Sequence, residues 1–174
     1  MTRGDYIRTR AAEEAWLVPS HTVRGVYGYS LDARVPGCPD FLPGFLALRG
    51  NLVAVVLFDR LIRPDSSVTP RRLVVLDSGA DSLAIATDDV ALESIQNSRI
   101  DLEIPWDLAD EYAMLASGIV LPLLEESSEG VEIAPSRALV LDVSATFRFV
   151  MRSCQNFWYE NPPPGYFSPL SGTQ

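Results

Sequence analysis

The residues of this 174-residue chain that come nearest to chemistry by type and spacing are Val75-Leu76-Asp77-Ser78-Gly79-Ala80-Asp81, two apolar residues leading into an aspartate on a tight turn. An aspartate presented this way can hydrolyse a peptide when a second one lies against it, because two close carboxylates cannot both ionise and so share a proton. The segment occurs once, so the pair would have to come from a homodimer. Asp, Ser and Gly are also the residues that any hairpin turn favours. With Leu73 to Leu76 and Leu83 to Ala86 as arms, the hairpin is the preferred reading. The remaining reactive side chains form no constellation. His21 is the only histidine, and a triad or histidine metal site would have to be built around it alone. Cys38 and Cys154 are distant in sequence and lack Cys-x-x-Cys spacing, so reduced thiols are expected. No Gly-rich phosphate loop follows a strand. Neither a catalytic residue nor a cofactor or metal is expected.

Binding chemistry is better represented. The stretch from Val35 to Leu61 has a Pro/Gly-broken entry, a short apolar run, an Arg49-Gly50 turn, and a second apolar run leaving through Asp59-Arg60. Two strands meeting at an arginine tip hold five fixed N–H donors out to solvent, a geometry suited to a partner's carboxylates or carbonyls.

The elements that must position that tip are short strands. Asp5 to Val18 reads as two strands around a polar turn at Ala12 to Glu14, and Thr22 to Tyr29 as a strand bent at Gly25 and Gly28. Arg63 to Pro70 has the composition of an exposed loop, and Arg71 to Val90 of a hairpin. Ile100 to Trp106 reads as a strand ended by Pro105, while Asp107 to Leu124 is ambiguous between helix and strand. Glu125 to Gly130 is a polar insertion, Ala138 to Val143 a strand, and Ser144 caps a short helix through Arg152. The predicted domain is 1–152, followed by a Pro- and aromatic-rich tail over 153–174 in which Phe157, Trp158 and Tyr159 are expected to pack against the fold. Short strands at this spacing favour small β-barrels over a doubly wound sheet.

Composition excludes several functions. Net charge is -9, and all 14 basic residues are arginine; an acidic surface forfeits the electrostatic term that drives nucleic-acid binding. The apolar runs fall far short of the roughly 20 residues needed to cross a bilayer, and no secretory signal opens the chain, so a cytoplasmic protein without membrane insertion is expected.

Two family resemblances compete. The Asp77-Ser78-Gly79 loop looks like that of retroviral-type aspartic proteases, with Leu115-Ala-Ser-Gly118 as the nearest candidate for their cradling strand. A longer, collinear resemblance is to the chemotaxis coupling protein family, CheW, including its pilus-motility relatives. It rests on Val23-Arg-Gly-Val26, the loop Val35-Pro36-Gly-Cys-Pro39-Asp-Phe41-Leu-Pro-Gly44, the turn Ala47-Leu48-Arg49-Gly50, the strand Leu52 to Phe58, the hairpin Arg71 to Val90, and Ala138 to Val143. This resemblance implies a mainly β fold of two intertwined five-stranded barrels with an apolar seam and a short C-terminal helix. It also implies a non-catalytic signalling adaptor joining the cytoplasmic tip of a chemoreceptor to the regulatory domain of a CheA-type histidine kinase. Arg49 and Gly50, with Val23, Val35, Phe41 and Leu48 nearby, are then the expected partner-binding residues. The chain departs from the family pattern at Gly25, Ala47, Ala54 and Leu57, which bears on partner identity more than on fold.

Overall fold

A computed structural model describes residues 3–96, 100–103, 110–120 and 137–162, and in it the uninterrupted apolar runs are strands buried on both faces. The strands are β1 (Arg3–Ala11), β2 (Glu14–Pro19), β3 (Val23–Gly28), β4 (Ala33–Arg34), β5 (Gly44–Leu48), β6 (Asn51–Leu57), β7 (Arg72–Asp77), β8 (Ser82–Thr87), β9 (Val90–Gln96), β10 (Ile100–Asp101), β11 (Ala116–Val120) and β12 (Ala138–Leu141). They form two sheets, ordered β9-β1-β2-β12-β11-β10 and β3-β7-β8-β6-β5-β4. Each has five longer strands and a two-residue edge strand, β10 or β4. The two orders are one pattern used twice: the third and fourth strands, β2 with β12 and β8 with β6, pair in parallel, and every other described pair is antiparallel.

Period-2 alternation sends neighbouring side chains to different cores. In β7, Leu73 and Val75 enter a cluster with Leu46, Val53, Val55, Ala84 and Ala86, while Val74 and Leu76 face a seam shared by both sheets. The first sheet has its own cluster of Leu17, Ile95, Val120, Ala138 and Val140, and contributes Trp16, Val18, Ile119, Leu139 and Leu141 to the seam. Two buried faces explain why the strands read as continuous apolar runs.

Among the described residues there are three α-helices: α1 (Phe58–Ile62), α2 (Asp110–Ala113) and α3 (Val143–Glu160). Trp16 is wholly buried in the seam, edge-on to Phe58 with centroids 5.2 Å apart and stacked on Tyr112 at 6.2 Å; its indole N–H donates to the Ala11 carbonyl. The β1–β2 turn places Ala12 and Glu13 at positive φ. Asp59 of α1, itself buried, accepts the Ala12 N–H at 2.7 Å, and the Tyr112 hydroxyl donates to the Ala12 carbonyl at 3.1 Å. One buried carboxylate thus fastens the turn of one sheet to the helix that follows β6 of the other.

The helices depart from expectation. The run from Leu52 does not leave as a strand through Asp59-Arg60 but turns into α1, which puts Phe58, Leu61 and Ile62 into the seam. The C-terminal helix is 18 residues long and ends at Glu160, so it takes in Phe157, Trp158 and Tyr159; of these only Phe157 is half-buried, and Trp158 and Tyr159 are exposed instead of packing against the fold. Its cap is Asp142, whose extended backbone lets the side chain accept the Ala145 N–H at 2.8 Å, not Ser144, which already lies inside the helix. Leu115-Ala-Ser-Gly118 is no cradle for an aspartate: it leads into β11, and a bulge separates Ala116 from Gly118. The rest of the predicted strand after residue 103, the polar insertion at 125–130 and the tail from residue 163 lie outside the described residues.

Candidate functional site

The β5–β6 hairpin pairs Leu48 with Asn51, leaving Arg49-Gly50 as a two-residue turn. Both have positive φ, 50° and 82°, the combination whose twist matches the flanking strands. Glycine adopts it freely, whereas an arginine there costs about 1 kcal/mol. The Arg49 side chain is exposed and engages in no hydrogen bond or ion pair among the described residues. The tip thus combines a strained backbone with an exposed guanidinium unpartnered among the described residues.

The hairpin is clamped from its outer side. Asp32 accepts the Ala47 N–H at 2.6 Å and donates its own N–H to the Phe45 carbonyl at 2.9 Å, while β4 lies against the start of β5. The approach is so close that a Cβ on Gly44 would sit 2.0 Å from the Ala33 carbonyl oxygen. The other sheet repeats the device, with Gly118 of β11 placing a Cβ 2.9 Å from the Asp101 oxygen of β10. The connecting loop turns back on itself through Leu42 N–H to Pro39 carbonyl, and Phe41 accepts the Leu57 N–H at 2.8 Å.

The expected binding residues are not one patch. Arg49 and Gly50 form the tip. Leu48 packs beneath it on the second sheet's own cluster, while Val23 and Phe41 pack against the seam on the opposite face of that sheet. Val35 is half-buried at the loop entry. Residues not predicted complete the tip: Leu52, 70% exposed, pairs across the hairpin with exposed Ala47. Half-buried Phe45 lies two residues further along the same face. Strand parity was the available signal, since Val53 and Val55 point inward and Leu52 therefore points away from them.

The Asp77 turn is structural. Ser78 and Asp81 close it through Ser78 N–H to Asp81 carbonyl at 3.0 Å, and Gly79 takes φ of 92°. The Gly79 N–H at 2.8 Å, then the Arg24 guanidinium at 2.6 Å, hold the Asp77 carboxyl below its ordinary value. That stabilises the ionised form, the reverse of a proton-sharing dyad.

His21 is exposed in a single 3-10 turn. Cys38 and Cys154 are free thiols. Burial pushes both above the ordinary thiol value, and Cys38 lies close enough to raise Cys154 further, a proximity invisible in sequence. No group of metal-ligating side chains occurs among the described residues, and no described helix is long and apolar enough to cross a membrane.

Comparison with known proteins fits this geometry. The profile of the CheW-like domain matches residues 5–149. Among solved structures, scaffolding protein TtCheW from Thermoanaerobacter tengcongensis superposes with a TM-score of 0.63 at 14% identity, covering 82% of this chain and 90% of that one. No curated protein matches the sequence.

Proposed function

The chain belongs to the CheW-like domain family, and from that membership we propose that it is a cytoplasmic adaptor coupling the tip of a chemoreceptor to the regulatory domain of a CheA-type histidine kinase, in chemotaxis or pilus-motility signalling. Proteins of this family are non-catalytic scaffolds, and this chain is not an enzyme. The observation that carries the binding-site reading is the Arg49-Gly50 tip: a guanidinium held out at positive φ on a clamped hairpin. Leu52, Ala47 and Phe45 flank it as an apolar floor. A few anchors of this kind, arginine beside apolar area, supply most of the energy in protein interfaces. Leu48, Val23 and Phe41 support the tip from below and from the seam, and Val35 sits at the mouth of the loop. The test is capture of a CheA-type regulatory domain by the wild-type chain, Arg49→Ala and Arg49→Glu. Weaker capture by alanine and loss by glutamate are expected; equal capture by all three overturns the assignment of Arg49.

A further inference from the structure

The family match ends at residue 149, but α3 continues to Glu160. Its inner face is set by Val143, Thr146 and Val150, all buried. At 3.6 residues per turn the opposite, solvent-facing arc collects Arg148, Met151, Arg152, Gln155, Trp158 and Tyr159. A solvent face is normally polar, yet here Met151 is 60%, Trp158 37% and Tyr159 79% exposed. The charge is equally unexpected. In a chain with 23 acidic residues and 14 arginines, this arc has two exposed arginines one turn apart and no carboxylate. The only acid in α3, Glu160, lies on another side.

We propose that this face of α3 is a docking surface for an acidic amphipathic segment of a partner protein, separate from the Arg49 tip. Carboxylates on the incoming segment would meet Arg148 and Arg152, and its apolar stripe would cover Met151, Trp158 and Tyr159. Other occupants fit worse. An anionic membrane calls for a cluster of about four or more basic residues, and this arc carries two. A second copy docking by the same face would bring its own two arginines against these.

The test is fluorescence anisotropy of the full chain with a labelled synthetic helical peptide that carries leucines at helical spacing flanked by glutamates. The peptide should bind the wild type. Arg148→Glu with Arg152→Glu, and separately Met151→Ser with Tyr159→Ser, should each weaken binding by about tenfold or more, while Arg49→Glu leaves it unchanged. These side chains are exposed, so circular dichroism should stay native. The matching peptide with lysine in place of glutamate should fail to bind. The proposal is overturned if the wild type does not bind the glutamate peptide, if the lysine peptide binds equally well, or if the α3 substitutions have no effect. It is also overturned if binding appears only after deletion of residues 163–174, if phosphatidylserine vesicles bind this face in the peptide's place, or if the same substitutions abolish a dimer of the chain.

Discussion

Replacing Gly44 by alanine places a methyl carbon 2.0 Å from the Ala33 carbonyl oxygen and 3.0 and 3.1 Å from two further backbone atoms of β4. A tolerable carbon–oxygen contact needs about 3.3 Å, so the strands must part by more than about 1 Å. The obstacle is backbone and cannot rotate away. The cost is capped, however, because β4 is a two-residue edge strand that can detach. Detachment gives up the β4–β5 ladder, the Asp32 N–H to Phe45 bond and the Ala47 N–H to Asp32 bond. At about 1 kcal/mol each these sum to about 3 kcal/mol. Alanine recovers about 0.5–1 kcal/mol by restricting the unfolded chain, leaving a net loss of about 2 kcal/mol, or about 4–8 °C in Tm. Gly118→Ala is the internal comparison: at 2.9 Å from the Asp101 backbone oxygen that backbone must also shift, but by far less than the Ala33 oxygen at 2.0 Å, and a loss smaller than for Gly44→Ala, about 1 kcal/mol, is expected. Urea unfolding followed by the fluorescence of buried Trp16 measures both, provided the m-value is unchanged. Hydrogen exchange should show the Ala47 amide losing protection in Gly44→Ala while the amides of β7 keep theirs. A loss below about 0.5 kcal/mol, or a larger loss for Gly118→Ala, would refute the close-approach reasoning.

Asp59→Ala removes a charge-assisted bond and leaves the Ala12 N–H buried without an acceptor; a destabilisation of about 3 kcal/mol is expected in urea, against a smaller one for Asp59→Asn, which keeps an acceptor oxygen. For Asp77 the folded pKa lies below the unfolded value, so its stabilisation is present above about pH 4 and is lost as pH falls through the folded pKa. Wild type and Asp77→Asn should therefore differ in Tm at pH 7 and converge in strong acid, and a carboxyl-carbon NMR titration should place Asp77 below 3.8; a midpoint above that value would return the aspartate to consideration as a proton-sharing acid.

The strands were legible where burial on two faces leaves an unmistakable mark. Leu73 to Leu76 and Leu83 to Ala86 are apolar at every position because alternate side chains serve different cores, and the Asp77 to Asp81 turn between them has the residues its geometry requires. The Arg49-Gly50 turn was legible for the same reason. The helices were not. Helix α1 begins at Phe58 with Leu57 in the cap position and no side-chain cap, so nothing in the run from Leu52 announces the change from strand to helix. In α3 the proline-rich composition of the tail hides that helix-breaking residues begin only at Pro162, so that Phe157 to Tyr159 can still be helical. Long-range pairings were also out of reach: the reason for Gly44 is the carbonyl of Ala33, and Cys38 approaches Cys154 only through the fold. Val23, Phe41 and Leu48 lie close together in sequence order, but they pack on different faces of the second sheet. Strand parity, by contrast, puts paired Ala47 and Leu52 on one exposed face beside the Arg49 tip.

In the proposed function the adaptor binds its kinase through the Arg49 guanidinium on a clamped hairpin tip. Titration of a CheA-type regulatory domain into wild type and Arg49→Glu, by calorimetry at one salt concentration, measures this most directly. Truncating or reversing an anchoring charge should cost about 2 kcal/mol or more, a loss of affinity of about thirtyfold, with both proteins equally stable in urea. Equal affinities for the two proteins would show that Arg49 is not the anchor.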